Sequence, residues 1–300
     1  MVNRTKLIVI VGPTAVGKTN VAIQLAQRFE SEIISADSRQ IYKELEIGTA
    51  KPTKEELGWV KHHFINIKSI DEDYDAGQFG RDALALINDL FKTHGHVILC
   101  GGSGLYVKSV TEGFDKMPVI AEGVREKIIE EYELNGLGWL QQQVEAADPE
   151  YFSLVDQKNP QRLMRALEIN YSTGQPLNKL RSENKLRHAF EILKIGLELD
   201  REELYHRIDS RMDTMIEAGL FEEAKHFFSK RELNALQTVG YQEIFGYMDG
   251  LYNRDEAIRL LKRNSRRYAK RQMTWFKKDK DVMWYRPNEI DEMIKAIENT

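Results

Sequence analysis

Near the start of the chain, the apolar run "KLIVIV" (residues 6–11) leads directly into "GPTAVGKT" (residues 12–19), and that into "NVAIQLAQRF". No other feature restricts the possible folds as much. Five or six apolar residues bounded by Gly and Pro predict a buried strand. Val21, Leu25 and Phe29 then recur every four residues, which predicts a helix leaving the loop. Between strand and helix stands the spacing Gly-x4-Gly-Lys-Thr of a P-loop. In that setting backbone N–H groups and the helix N-terminus form an anion nest, Lys18 neutralises charge, and the Thr19 hydroxyl can hold a magnesium ion. The expected phosphate cradle is therefore Gly12, Pro13, Thr14, Ala15, Val16, Gly17, Lys18 and Thr19. Its default occupant is a nucleoside triphosphate, which makes ATP-binding the first reading.

The pattern that follows extends the same architecture. "SEIISADS" reads as a second short strand ending at Asp37, "AGQFGRDALALINDLFKTHG" as a helix with Phe79, Ala83, Leu86 and Leu90 on one face, and "HVILC" as a buried strand. Strand and helix alternate, so a P-loop NTPase-like α/β core is expected, with a parallel sheet flanked by helices. The rhythm stops near Phe114. From Glu122 to about Leu186 the sequence is helical, and "FEILKIGLELD" (residues 190–200) then returns as a strand. This predicts a core of residues 1–116 and 188–300 interrupted by an inserted all-helical subdomain at 117–187. The last hundred residues read as mainly helices, including a long one from about Asp255 to Phe276.

Charge is distributed unevenly. The net charge is −4, yet Arg254–Lys280 carries eleven Lys/Arg against three Asp/Glu, and Lys158–Arg187 seven against two. Basic islands in an acidic chain point to a localised polyanion surface. In the first island Arg259, Lys262, Arg263, Arg266, Arg267, Lys270 and Arg271 recur every three or four residues, with Ile258, Leu261, Tyr268 and Trp275 as the expected opposite face. A solvated charged face is the bland alternative. No stretch approaches the ~20 apolar residues of a membrane span. The basic and then apolar N-terminus has too short an apolar run, and no small-residue cleavage site, for a signal peptide. A single cysteine, Cys100, excludes an internal disulfide and a Cys-rich zinc site and fits a cytoplasmic protein. The seven histidines show no metal-ligand spacing and are read as local packing.

An ATP-using P-loop enzyme needs a second magnesium-holding acid at the end of an apolar strand. "HVILC" ends instead in Gly101-Gly102-Ser103, and "GGSGLY" suggests a tight backbone approach to something flat or anionic. The acid suitably placed after a strand is Asp37, at the edge where α/β folds place chemistry. Standing alone, it reads sooner as a helix N-cap or turn former than as a catalytic acid.

Taken in order, "GPTAVGKT", "SADSRQIYKELEIGTAKPT", "HHFINI", "GGSGLYVKSVTEGF", "QRLMRALEI" and "RRYAKRQMTWF" resemble the tRNA dimethylallyltransferases, or tRNA isopentenyl transferases, from about residue 6 to residue 285. Ser103 stands where many members have Thr, and the C-terminal zinc finger of eukaryotic relatives is missing. The resemblance implies that the phosphates belong to dimethylallyl diphosphate, with Mg2+ as cofactor. The acceptor would be the exocyclic amine of the adenosine 3′ of the anticodon, in tRNAs reading codons that begin with U. Diphosphate is then the leaving group, which accounts for the missing acid. Asp37 becomes the expected general base, Ser103 its hydrogen-bonding assistant, and Arg211 the arginine that reaches the diphosphate, with Arg207 as competing choice. The resemblance assigns tRNA contact to Asp37, Ser38, Arg39, Gln40 and Ser103; to Gln161, Arg162, Leu163, Met164 and Arg165; to Gly240, Tyr241 and Gln242; and to Arg125. The basic stripe adds Arg266, Arg267 and Arg271. The partner is thus the anticodon stem-loop, met by a monomer away from any membrane. Two rival readings share parts of this pattern: an ATP-dependent small-molecule or nucleoside kinase, and a non-catalytic RNA-binding P-loop module.

Overall fold

A computed structural model of the chain describes residues 5–115, 117–180 and 186–299. Six strands are present among them: β1 (Lys6–Val11), β2 (Ile33–Ser35), β3 (His62–His63), β4 (His96–Cys100), β5 (Glu191–Leu197) and β6 (Val282–Tyr285). They form one sheet in the order β3-β2-β4-β1-β5-β6, and every pairing is parallel. β1 lies inside the sheet, with Ile8 opposite Ile98 of β4 on one side and Leu193 of β5 on the other. A strand covered on both faces needs apolar residues at every position, which is why this one reads as an unbroken run. Its side chains divide by the two-residue period. Leu7, Val9 and Val11 join one core with Phe79, Ala83 and Ile87, while Ile8 and Ile10 join a second with Val21, Leu25 and Ile297.

By packing, the chain separates into two compact units, residues 1–113 with 187–300, and residues 114–186. In the first, α1 (Lys18–Arg28), α2 (Lys54–Trp59), α3 (Ala76–Leu90) and α4 (Gly104–Thr111) connect the early strands. Asp75 caps α3 by accepting the Gln78 N–H at 2.7 Å. The second unit has helices and no strand among its described residues: α5 (Val124–Ala147), α6 (Pro149–Leu154), α7 (Pro160–Thr173) and α8 (Leu177–Leu180). Ile128, Leu140, Val144, Leu163 and Leu167 form a core of their own. Back in the first unit follow α9 (Arg201–Glu217), α10 (Leu220–His226), α11 (Tyr241–Met248), α12 (Arg254–Phe276) and α13 (Ile290–Asn299).

One sequence expectation holds with an addition, and one needs correction. The C-terminal segment holds a strand as well as helices: β6 pairs with β5 at the sheet edge, its Trp284 ring over Gly196. Four residues at an edge are too few for a visible alternation. The buried face of α12 is also different from the one expected. It comprises Ala257, Leu261, Ser265, Ala269, Gln272 and Phe276, whereas Trp275 is 37% exposed. These positions step by four and three along the helix, and the small residues among them let it pack closely on α4, α9 and α11.

Candidate active site

The loops leaving β1, β2 and β4 meet at the C-terminal edge of the sheet, where parallel α/β folds place ligands. They line a cavity of about 370 Å³, with α9 and α12 completing the wall. Thr14, Ala15, Gly17, Lys18 and Thr19 come from the P-loop, Asp37, Arg39 and Gln40 from the β2 loop, and Arg211, Tyr268 and Gln272 from the two helices.

The Lys18 ammonium donates to the carbonyls of Gly12 at 3.1 Å and Pro13 at 2.8 Å, and so folds back over its own loop. Burial pushes its pKa down to about 8, against the opposing pull of Asp37. Arg211 donates to the Thr14 hydroxyl at 3.4 Å and faces Asp37; burial lowers its pKa too. Arg207, the competing choice, pairs with Glu203 at 2.9 Å, and does not line the cavity. The geometry therefore places Arg211 at the P-loop. Cys100, at the end of β4, also lines the cavity, but burial pushes its thiol up to about 12 and keeps it neutral.

Asp37 serves its loop with one oxygen only. Oδ1 accepts the N–H groups of Arg39 at 2.9 Å and Gln40 at 3.4 Å, while Oδ2 accepts none from the described residues. Ser103 acts behind it. Its Oγ accepts the Ser38 N–H at 2.9 Å and pairs with the Ser38 hydroxyl at 3.2 Å, so it fastens the loop and does not bond to Asp37. The Gln40 amide is likewise occupied, donating to the Thr49 and Ala50 carbonyls.

Several expected contact residues have other roles. Gly12, Pro13 and Val16 are buried beneath the cradle, outside the cavity lining. Tyr241 is fully buried; its hydroxyl donates to Glu223 at 2.6 Å, and that carboxylate also accepts the N–H groups of Ile47 and Gly48 behind the cavity wall. Gly240 lines the cavity, while Gln242 is exposed and bonded to Gln237. In the helical unit Leu163 and Met164 are core residues, 0% and 4% exposed, and their side chains offer no surface. Gln161 and Arg162 are exposed, whereas Arg125 and Arg165 share the buried Glu168 at 2.6 and 3.1 Å.

The "GGSG" turn packs closely against the protein, while Gly101 and Gly102 also line the cavity. A Cβ on Gly102 would run into the Gln272 amide, and one on Gly104 into the Trp275 indole. Gln272 and Tyr268 were missed in the sequence. Tyr268 sits near Asp37, Arg39 and Arg271, and burial pushes its hydroxyl up to about 12. A polar residue on the buried face of a basic helix is the signal that could have found them.

The basic stripe of α12 divides in two. Arg259 pairs with Glu256, Lys262 with Asp213 and Arg266 with Asp209, the last two tying α12 to α9. Arg267, Lys270, Arg271 and Lys278 form no ion pair among the described residues. With Thr274 and Trp275 they line an open hollow of about 360 Å³.

A parallel sheet with an anion nest at its C-terminal edge, two buried cations in the nest, and a carboxylate facing them defines a P-loop α/β protein built to hold phosphates. Comparison with known proteins narrows this. The family model described as IPP transferase matches residues 40–279. A tRNA dimethylallyltransferase of Cytophaga hutchinsonii is 52% identical over 97% of this chain and 96% of its own. One from Bacteroides fragilis is 44% identical over 97% of both chains. Among solved structures, the tRNA isopentenylpyrophosphate transferase of Bacillus halodurans matches with a TM-score of 0.71 at 39% identity, covering 99% of this chain and 95% of its own. A eukaryotic dimethylallyltransferase acting on tRNA matches with 0.82 at 26% identity, covering 98% of this chain and 79% of its own. The chain belongs to the IPP transferase family.

Proposed function

We propose that the protein is a tRNA dimethylallyltransferase. It transfers the dimethylallyl group of dimethylallyl diphosphate to the N6 amine of the adenosine 3′-adjacent to the anticodon, in tRNAs reading codons that begin with U. One observation carries the site chemistry: Asp37, with Oδ2 unused, faces Lys18 and Arg211 across the P-loop cavity, and β4 ends without an acid. Such a site can hold a leaving group and accept a proton; the other acid on the cavity wall, Glu56, is occupied in capping α2 through the Thr53 N–H.

An adenine amine is a weak nucleophile that needs a base as its bond forms. The N6–C bond forms while the allylic C–O bond breaks. Diphosphate departs with the electron pair, and the amine proton passes to Asp37 Oδ2. The P-loop N–H groups, Lys18 and Arg211 stabilise the charge where it develops. Thr19 lines the cavity beside the cradle, and one hydroxyl plus diphosphate oxygens and water is a donor set that suits Mg2+. Bound there, the ion would neutralise diphosphate charge. The target base leaves the loop stack to reach the cavity, as base-modifying enzymes require. Phosphate contact falls to the unpaired cations of α12 and to Gln161, Arg162 and Arg165 of the helical unit. The active species is a monomer acting in the cytoplasm; among the described residues no helix is long and apolar enough to cross a membrane.

Incubating the protein with unmodified tRNA and labelled dimethylallyl diphosphate should move label into RNA. A parallel reaction with γ-labelled ATP and nucleosides should move none; phosphate transfer there, with no labelled RNA, would establish the kinase instead.

A further inference from the structure

Gln272 lies on the buried face of α12, 7% exposed, and uses both ends of its amide. Oε1 accepts the Thr14 N–H at 2.8 Å, and Nε2 donates to the Gly102 carbonyl at 2.9 Å. An N–H can only donate and a carbonyl only accept, so one orientation of the amide satisfies both. From Thr14 the contacts run to the cradle, since its hydroxyl accepts from Arg211. From Gly102 they run to the base, because the adjacent Ser103 holds Ser38, the neighbour of Asp37. One amide therefore lies between the anion nest and the carboxylate.

The geometry points to Gln272 as a positioning residue that sets the diphosphate cradle and the Asp37 carboxylate in register. This rests on the prenyl-transfer reading of the site. In that reaction the amine, its base and the leaving group must be aligned together, and a misplacement of about 1 Å can cost about 10²-fold. Glutamine suits the place because it joins one acceptor to one donor on a planar group. Glutamate keeps the acceptor for Thr14 but turns a second acceptor on the Gly102 carbonyl. Methionine keeps neither.

The variants Q272M, Q272E and G102A separate the two halves. Q272M should raise KM for dimethylallyl diphosphate and lower kcat, by about 10²-fold in kcat/KM together, with tRNA affinity unchanged. Q272E keeps the Thr14 acceptor but sets a negative charge beside the diphosphate, so its KM should rise at least as far as that of Q272M. G102A displaces the amide from the other side with α12 unaltered and no added charge, and should hold KM while kcat falls, even if Q272M folds poorly. A purely structural role would lower melting temperature and leave the split between KM and kcat unmoved. Calorimetric titration with inorganic diphosphate needs no turnover: affinity should fall about tenfold in Q272M and hold in G102A. Parental kinetics and diphosphate affinity in Q272M, or identical behaviour of Q272M and G102A, would overturn the inference. A parent that binds diphosphate yet transfers no prenyl group overturns the reaction, and the titration alone then decides the role of Gln272.

Discussion

Lys18 and Asp37 show how two charged side chains are kept ready for different tasks. The Lys18 ammonium, parked on the Gly12 and Pro13 carbonyls, has its pKa pushed down to about 8 by burial. Above that pH the folded chain holds fewer protons on Lys18 than the unfolded chain does, until both lose it near the ordinary lysine value. Stability from this group therefore rises with pH between about 8 and 10.5. Anion binding has the opposite sign, because diphosphate favours the charged amine. The affinity advantage of the parent over K18R, which stays charged, should shrink about tenfold between about pH 7 and 9; titration with diphosphate at both pH values checks this. For Asp37 the informative change is D37N. Asparagine keeps the oxygen that accepts from Arg39 and Gln40 but supplies no base. Transfer should fall by about 10²–10⁴-fold with tRNA affinity retained, measured by single-turnover labelling and filter binding. Parental turnover in D37N would remove Asp37 as base.

At the scale of elements, α12 is where sequence and structure differ most usefully. The spacing of its basic residues was legible, and so was the helix. Which of them are free was not, because Asp209 and Asp213 that neutralise Arg266 and Lys262 lie on α9, some fifty positions away in the chain. Charge reversal at Arg267 and Arg271 should weaken tRNA binding and lower its log–log salt slope by about 0.7–0.9 for each phosphate no longer neutralised. R266E should instead loosen α9 against α12, lowering the melting temperature more than the slope. Equal slopes for R267E/R271E and parent would reduce the hollow to a solvated face. Local elements were readable in the same way: the β1–P-loop–α1 unit, the alternation through β4 and the position of Asp37 all follow from nearby residues. Gln272 did not, since its partners Thr14 and Gly102 are brought to it only by the finished fold. Leu163 and Met164 sit inside a motif that carries the family resemblance, and the resemblance assigns Tyr241 to tRNA contact, yet all three serve packing. A motif marks residues that must be kept, and burial decides which of them can touch a ligand.

At the scale of the molecule, the helical unit has its own core, with Leu167 fully buried at its centre. Leu167→Ala should cost about 2–5 kcal/mol of that unit's stability. Calorimetry should show the loss in a separate transition, with inorganic diphosphate affinity unchanged in the first unit. A single shifted transition would mean that the units unfold as one. In the first unit, α12 runs unbroken over 23 residues. Arg267, Lys270 and Arg271 face outward within about one turn of Tyr268 and Gln272, which face the cavity. A straight helix advances about 100° per residue, so the angle between these two sets is set by residue count alone. Inserting one alanine before Gln272 would rotate Gln272 by that angle against Arg267, Tyr268, Lys270 and Arg271, although every one of these side chains would still be present. The helix thus acts as a protractor, and its composition matters less than its phase.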